Sequence, residues 1–169
     1  MSRTWLFGYG SLVSPVSLAS TIGRDPGDGM HVAHVEGFGR RWNYGSKVLR
    51  GDWVHDGRNI VGGLVVSLGI AAADDEACNG VVFDVDDDEL AALDWRERDY
   101  ERVDITDVTI ESIERYELAR NEGRAAIRQS YWTLVEDAFA SLGGHHAEWY
   151  ARTPPPDIPV ADIRLHPLN

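Results

Sequence analysis

Phe7-Gly8-Tyr9-Gly10-Ser11-Leu12 follows directly on the apolar run Trp5-Leu6-Phe7, which places two glycines where a strand must end. A strand that stops on glycines turns sharply and presents backbone donors. Gly8 and Gly10 can take φ > 0 at no Cβ cost, and a ligand can approach closely a main chain without side chains. Successive N–H groups at such a turn form a small anion-binding concavity, and a following helix adds its positive dipole end. Pro15 stands where a first helical turn favours it. The alternative is a strand-to-helix turn whose glycines serve geometry alone. Two familiar phosphate loops are not met. A Walker loop needs Lys-Ser/Thr after its last glycine, where Leu12-Val13 stands, and a dinucleotide fingerprint needs a third glycine and a later acidic residue in a βαβ unit.

At 169 residues, 43% hydrophobic and 26% charged, the chain reads as a single globular domain over 1–169, able to bury about two thirds of its unfolded surface. Sixteen Lys+Arg against 28 Asp+Glu give a formal charge of −12, which repels phosphate backbones and anionic lipid headgroups. Neither nucleic acid nor a membrane is an expected partner. No stretch approaches the ~18 apolar residues of a membrane span, and the first apolar run is too short for a secretory signal. The single cysteine, Cys78, forms no internal disulfide, which suits a reducing cytoplasm. Cys78 reads as a small core residue, with a catalytic thiol as the other option.

The spacing of apolar residues predicts a short strand over Thr4–Tyr9 and a helix over Pro15–Ile22 closed by Gly23. Met30 to Ser46 suggests two strands with a bend or bulge at Gly37 and Gly39. Ile60–Leu68 and Gly80–Val85 read as strands joined by a loop over Ala71–Asn79, and Glu101 to Ile113 as a bulged strand. Ile127, Tyr131, Leu134, Val135, Ala138, Phe139 and Leu142 recur at helical spacing, and Gly143-Gly144 stops that helix. The Pro-rich tail 153–169 reads as extended. Strands without regular βαβ alternation indicate an α+β fold with a mixed or antiparallel, curved sheet.

Asp86 and Glu89 have capping-box spacing, so a helix starts there, with acidic residues on its positive end. Leu90 and Leu93 face the sheet, and Glu97, seven residues after Leu90, shares that face if the helix reaches it. Asp94, Arg96 and Arg98 are expected on solvent-facing sides. A carboxylate turned toward an apolar interior is poised to take and return a proton, as a general acid/base must. The alternative is that the helix frays and Glu97 pairs at the surface with Arg96, Arg98 or Arg102.

The early Phe-Gly-Tyr-Gly-Ser-Leu and the later Leu93-Asp94-Trp95-Arg96-Glu97 with Tyr100, in that order, resemble the γ-glutamylcyclotransferase superfamily. Gly39-Arg40-Arg41-Trp42-Asn43 is similar to its second or third strand region. The resemblance covers most of residues 4–110 and implies a small mixed β-barrel with flanking helices. It also implies a cofactor-independent, metal-free enzyme, a cyclising transferase or lyase acting on a small γ-glutamyl amine or γ-glutamyl amino acid. In the implied reaction the substrate's α-amino group attacks its own γ-amide carbonyl and releases 5-oxoproline. Glu97 maps onto the catalytic glutamate, and Tyr9, Gly10, Ser11 and Leu12 onto the loop that holds the γ-glutamyl head. Tyr131 matches a substrate-contacting tyrosine, with a core role as the other reading; Tyr100 has a similar status. Arg40 and Arg41 would draw in an acidic substrate, or simply sit solvated at a strand edge. Two departures stand out. The short, charged segment Tyr116–Arg124 replaces a further aromatic strand, and Val13-Ser14-Pro15 lacks the tryptophan of the glutathione-specific branch, so glutathione is not the favoured substrate.

Competing functions are a non-catalytic ligand-binding or interaction module on the same fold, and a carboxylate-pair hydrolase using Glu97 with Asp94 or Glu101. The second leaves Tyr9-Gly10-Ser11 without a role. A metal site at His145-His146 and Glu148 is weaker, because adjacent histidines diverge on a helix.

Overall fold

Strand β1 (Thr4–Gly8) ends at the first glycine, and the chain turns through a 3-10 segment (Ser11–Val13) into helix α1 (Pro15–Ile22). Ser14 caps α1 by accepting the Ser17 N–H, Pro15 opens it, and Gly23 closes it at φ 75°. These are the boundaries that the capping residues predict. The computed structural model describes residues 3–98, 100 and 110–167.

Two long strands follow, β2 (His31–His55) and β3 (Arg58–Val85), joined by the two-residue turn Asp56-Gly57. Both turn residues have positive φ, 49° and 72°, the backbone that a tight hairpin needs to match strand twist. β3 is continuous through residues 71–79, so the expected loop there is strand. Helix α2 (Asp87–Arg96) opens with the capping box: Asp86 accepts the Glu89 N–H and Glu89 accepts the Asp86 N–H. The expected strand over Glu101 to Ile113 lies in part outside the described residues, and from Ile110 the chain is helical, as α3 (Ile110–Asn121). Ile127 belongs to strand β4 (Ala125–Arg128), and the helix expected to include it begins two residues later as α4 (Gln129–Ser141). Gly143 and Gly144, at φ 71° and 56°, follow its end. A short helix α5 (His146–Tyr150) and strands β5 (Val160–Ala161) and β6 (Arg164–Leu165) complete the chain. The tail is thus partly built into the sheet.

Of the described residues, 3–39, 73–98, 100 and 134–152 form one compact unit, and 40–72, 110–133 and 153–167 form a second. In the second unit the strand order is β5-β4-β3-β2-β6. β4 runs parallel to β3, with Leu64 opposite Ala125, and β6 runs antiparallel to β2, with Asp52 opposite Arg164. In the first unit β1 pairs antiparallel with the end of β3, from Thr4 opposite Val85 to Gly8 opposite Val81. The result is a six-stranded mixed sheet with helices, an α+β fold. The pairings among the described residues do not join β5 to β6, so they do not close the sheet into a barrel. No described helix is long and apolar enough to cross a membrane.

The core of the second unit gathers Trp53, Val65, Ala126 and Ile163. Trp53 lies over Gly63, where a Cβ would stand 2.0 Å from the indole. Beside this core Asp52 accepts from Arg164, His166 and the Gly62 N–H. Those donors, Arg164 first, hold its carboxyl well below the usual carboxylate range. A depressed folded pKa contributes stability above the unfolded value of about 3.9, and loses it as pH falls from there toward the folded value. The thermal-midpoint difference between wild type and Asp52→Asn should therefore be largest above about pH 5 and shrink steadily toward pH 2. A difference that is constant across that range would remove Asp52 from the acid response.

The core of the first unit includes Val13, Leu18, Phe83, Val85, Leu93 and Phe139. Cys78 is buried at 1% exposure beside them in sequence on β3, which fits a core thiol. Arg24, just after α1, pairs with Glu89 at the start of α2 and donates to the Asp84 carbonyl at 3.0 Å. The Arg24 guanidinium holds the Glu89 carboxyl below its ordinary range against the effect of burial. One carboxylate thus caps α2 and ties it to α1.

Candidate active site

The turn after β1 is short because its residues pack on one another. A Cβ on Gly8 would stand 2.8 Å from Leu12 Cβ and 3.4 Å from Phe83, so Gly8 is required by close approach rather than by φ. Neither Gly8 nor Gly10 has positive φ, which corrects the expected reason for those glycines; Gly10 sits at φ −131°. The Val13 N–H bonds to the Gly10 carbonyl at 3.0 Å, and the Ser14 N–H to that of Ser11 at 3.3 Å. A 3-10 turn that begins this way has no internal acceptor for the N–H groups of Ser11 and Leu12. Tyr9, Gly10, Ser11 and Leu12 are all half-buried.

Glu97 is the C-cap of α2. Its N–H still bonds to the Leu93 carbonyl at 2.7 Å, and its own carbonyl accepts the Tyr100 N–H at 2.6 Å. The helical pattern therefore carries through Glu97, which keeps 27% side-chain exposure, half-buried rather than enclosed. Its Oε1 lies 2.9 Å from Arg96 Nε. The pairing with Arg96 weighed from the sequence is present, but not as a surface contact.

Arg96 was expected to face solvent, and the structure corrects this. Its side chain is 24% exposed and lies against α1 and the glycine turn. Nη1 donates to the Ser17 carbonyl at 2.8 Å and to Thr21 Oγ1 at 2.7 Å. Nη2 donates to Ser11 Oγ and to Ser17 Oγ, each at 2.9 Å. With Nε ion-paired to Glu97, the guanidinium meets five oxygens, four by hydrogen bond and one by charge. The sequence does carry a signal for this. Arg96 is three residues after Leu93, the same spacing as Leu90 to Leu93, and so falls beside the buried stripe.

Ser11 and Glu97, 86 positions apart in the sequence, are thus held by two nitrogens of one planar cation. That juxtaposition brings the Ser11 hydroxyl and the Glu97 carboxylate to one guanidinium. Ser11 accepts from a cation, which strengthens its own O–H as a donor. Asp94 is half-buried on the same helix, and Glu101, its alternative partner for Glu97, lies outside the described residues.

Of the other residues singled out from the sequence, Arg40 and Tyr131 belong to the second unit and His145 to the first. Tyr131, on α4 in the second unit, packs edge-on against the buried Trp42 at 5.9 Å and 87°, and Trp132 lies 4.8 Å from the same ring. Arg40 is buried at 4% exposure, not a solvated strand-edge arginine. His145 pairs with Glu148 at 3.4 Å in an exposed setting, and among the described residues no cluster of three or more His, Cys, Asp or Glu is placed to hold a metal ion.

Residues 4–128 match the family model described as ChaC-like protein. That span includes both the glycine turn and Arg96-Glu97. A search of curated proteins gives no match to the chain.

Proposed function

The chain belongs to the ChaC-like family, within the γ-glutamylcyclotransferase superfamily, and on that premise we propose that it releases 5-oxoproline from a small γ-glutamyl amine or γ-glutamyl amino acid. The observation that carries this reading is Arg96 holding Ser11 of the glycine turn and Glu97 on one guanidinium. In the proposed reaction the turn receives the substrate's α-carboxylate on the N–H groups of Ser11 and Leu12, with the N-terminus of α1 behind them. The Ser11 hydroxyl adds a donor for that carboxylate or for the γ-carbonyl oxygen.

Glu97 takes a proton from the α-ammonium, and the freed amine attacks the γ-carbonyl carbon. The amide C–N bond breaks, and the ring closes as a lactam. The attacking nitrogen loses two protons in all. Both pass to the departing nitrogen, which leaves as an ammonium, so no net proton is released. The nucleophile is already tethered to the electrophile, and the enzyme's contribution is orientation and proton transfer. We further propose that the whole chain acts as one such domain. Strands β2 and β3 support this, because each runs without interruption from one compact unit into the other.

The test is release of 5-oxoproline from a panel of γ-glutamylamines, γ-glutamyl amino acids and glutathione. Release from one class identifies the reaction and ranks the leaving groups. A folded protein that releases none from any member would replace the enzyme reading with a non-catalytic binding module.

A further inference from the structure

A guanidinium that gives four of its five N–H groups to hydrogen-bond acceptors and sets its Nε beside a carboxylate is fixed in space. A half-buried ion pair alone would use one or two of them. The remaining bonds of Arg96 go to α1, through the Ser17 carbonyl, Ser17 Oγ and Thr21 Oγ1, and to the turn, through Ser11 Oγ. Helix α1 is itself capped at its start by Ser14 and tied at its end to α2 by the Arg24–Glu89 pair next to Gly23. Arg96 is therefore clamped against a rigid element, and Glu97 is clamped to Arg96.

We infer that Arg96 is a positioning residue that couples the glycine turn to the proton carrier, so that Ser11 and Glu97 are oriented as one unit. This rests on the reading of Glu97 as the group that moves the proton. The planar fork is essential to it. A lysine in the same place supplies one ammonium nitrogen and cannot meet Glu97, Ser11 and the two α1 side chains in fixed directions. Without the fork, Glu97 keeps its chemistry but loses its aim, and a misplacement of about 1 Å costs about 100-fold in rate. Arg96 itself makes no contact with the proposed substrate, and because it orients the proton carrier, its loss falls mainly on kcat, with a smaller effect on KM through Ser11.

The experiment compares wild type with Arg96→Met, Arg96→Lys, Glu97→Gln and, as control, Arg98→Met, whose side chain is exposed and stacks on Trp95 at 4.8 Å. The substrate is whichever panel member wild type turns over, and rates are expressed per folded molecule from circular dichroism. Arg96→Met should lower kcat about 100-fold with KM within about threefold, and added millimolar methylguanidinium should restore part of kcat. Arg96→Lys should stay about 10-fold down, and Arg98→Met should match wild type within about twofold.

An Arg96→Met enzyme with wild-type kcat per folded molecule, alongside an inactive Glu97→Gln, overturns the positioning role and leaves the function intact. A loss in Arg96→Met that lies entirely in KM overturns it also. Should Arg96→Met fail to fold, Arg96→Lys decides: a lowered kcat at constant KM supports the coupling, and wild-type kcat overturns it. A folded wild type inactive on every substrate sinks the functional reading and this inference together.

Discussion

Glu97→Gln is expected to lower kcat for 5-oxoproline release by about 10³-fold while leaving the fold and substrate affinity nearly unchanged. The amide is close to isosteric with the carboxylate, and its oxygen can occupy the place beside Arg96 Nε, 2.9 Å away in the wild type. What it loses is the ability to take a proton, and positioned proton transfer typically contributes 10²–10⁴-fold. The ion pair with Arg96 is lost as well, but with both partners about a quarter exposed its contribution is small, about 1 kcal/mol or less. A modest drop in thermal midpoint should therefore accompany a large drop in rate. Single-turnover kinetics with the best panel substrate, read beside an equilibrium binding measurement, separates the two. If Glu97→Gln turns over at the wild-type rate, proton transfer belongs to another group and the assignment fails.

The second large effect is structural and is expected at a residue far from any motif. Gly80→Ala should cost about 3 kcal/mol and lower the thermal midpoint by about 6–12 °C. Gly80 lies on β3 next to the pairing with β1, and a Cβ there would stand 2.1 Å from the Gly8 carbonyl oxygen, 3.1 Å from the Gly8 carbonyl carbon and 2.9 Å from the Phe7 ring. Two of these atoms are backbone and cannot swing aside as a side-chain tip can. The alanine must push β1 outward or be absorbed by a shift of β3. Gly8 opens the turn that carries Ser11, so the displacement reaches the candidate site as well, and the folded fraction of Gly80→Ala should show a reduced kcat/KM. Thermal unfolding followed by circular dichroism checks the first part, and a wild-type midpoint would mean that β1 does not pack on β3 as described.

Much of the fold was legible where a single residue has a local physical duty. Ser14, Pro15 and Gly23 mark α1 because capping and positive φ are requirements of the chain itself. Asp86 and Glu89 mark the start of α2 for the same reason. Asp56-Gly57 carries an equally local hairpin signal, and it joins β2 to β3. The run Ala71–Asn79 is different. Its alanines and acidic residues have poor intrinsic strand preference, yet they are strand because β2 and β3 are hydrogen-bonded neighbours. Ile127 shows the same override: its spacing fits the helix that follows, but pairing opposite Val66 places it in β4.

The candidate site divides along the same line. The sequence alone determined that a glycine turn ends the first strand and that a helix begins at Asp86, because caps and turns act over a few residues; it left open whether the helix reaches Glu97, which proves to be its half-buried C-cap. Only the tertiary structure decided that Arg96 reaches α1 and the turn, that Gly8 is needed for packing, and that Tyr131 sits on Trp42. The partners of Arg96, the contact of Gly8 with Phe83 and that of Tyr131 with Trp42 join residues 75 to 89 positions apart, and spacing along the chain does not encode such meetings.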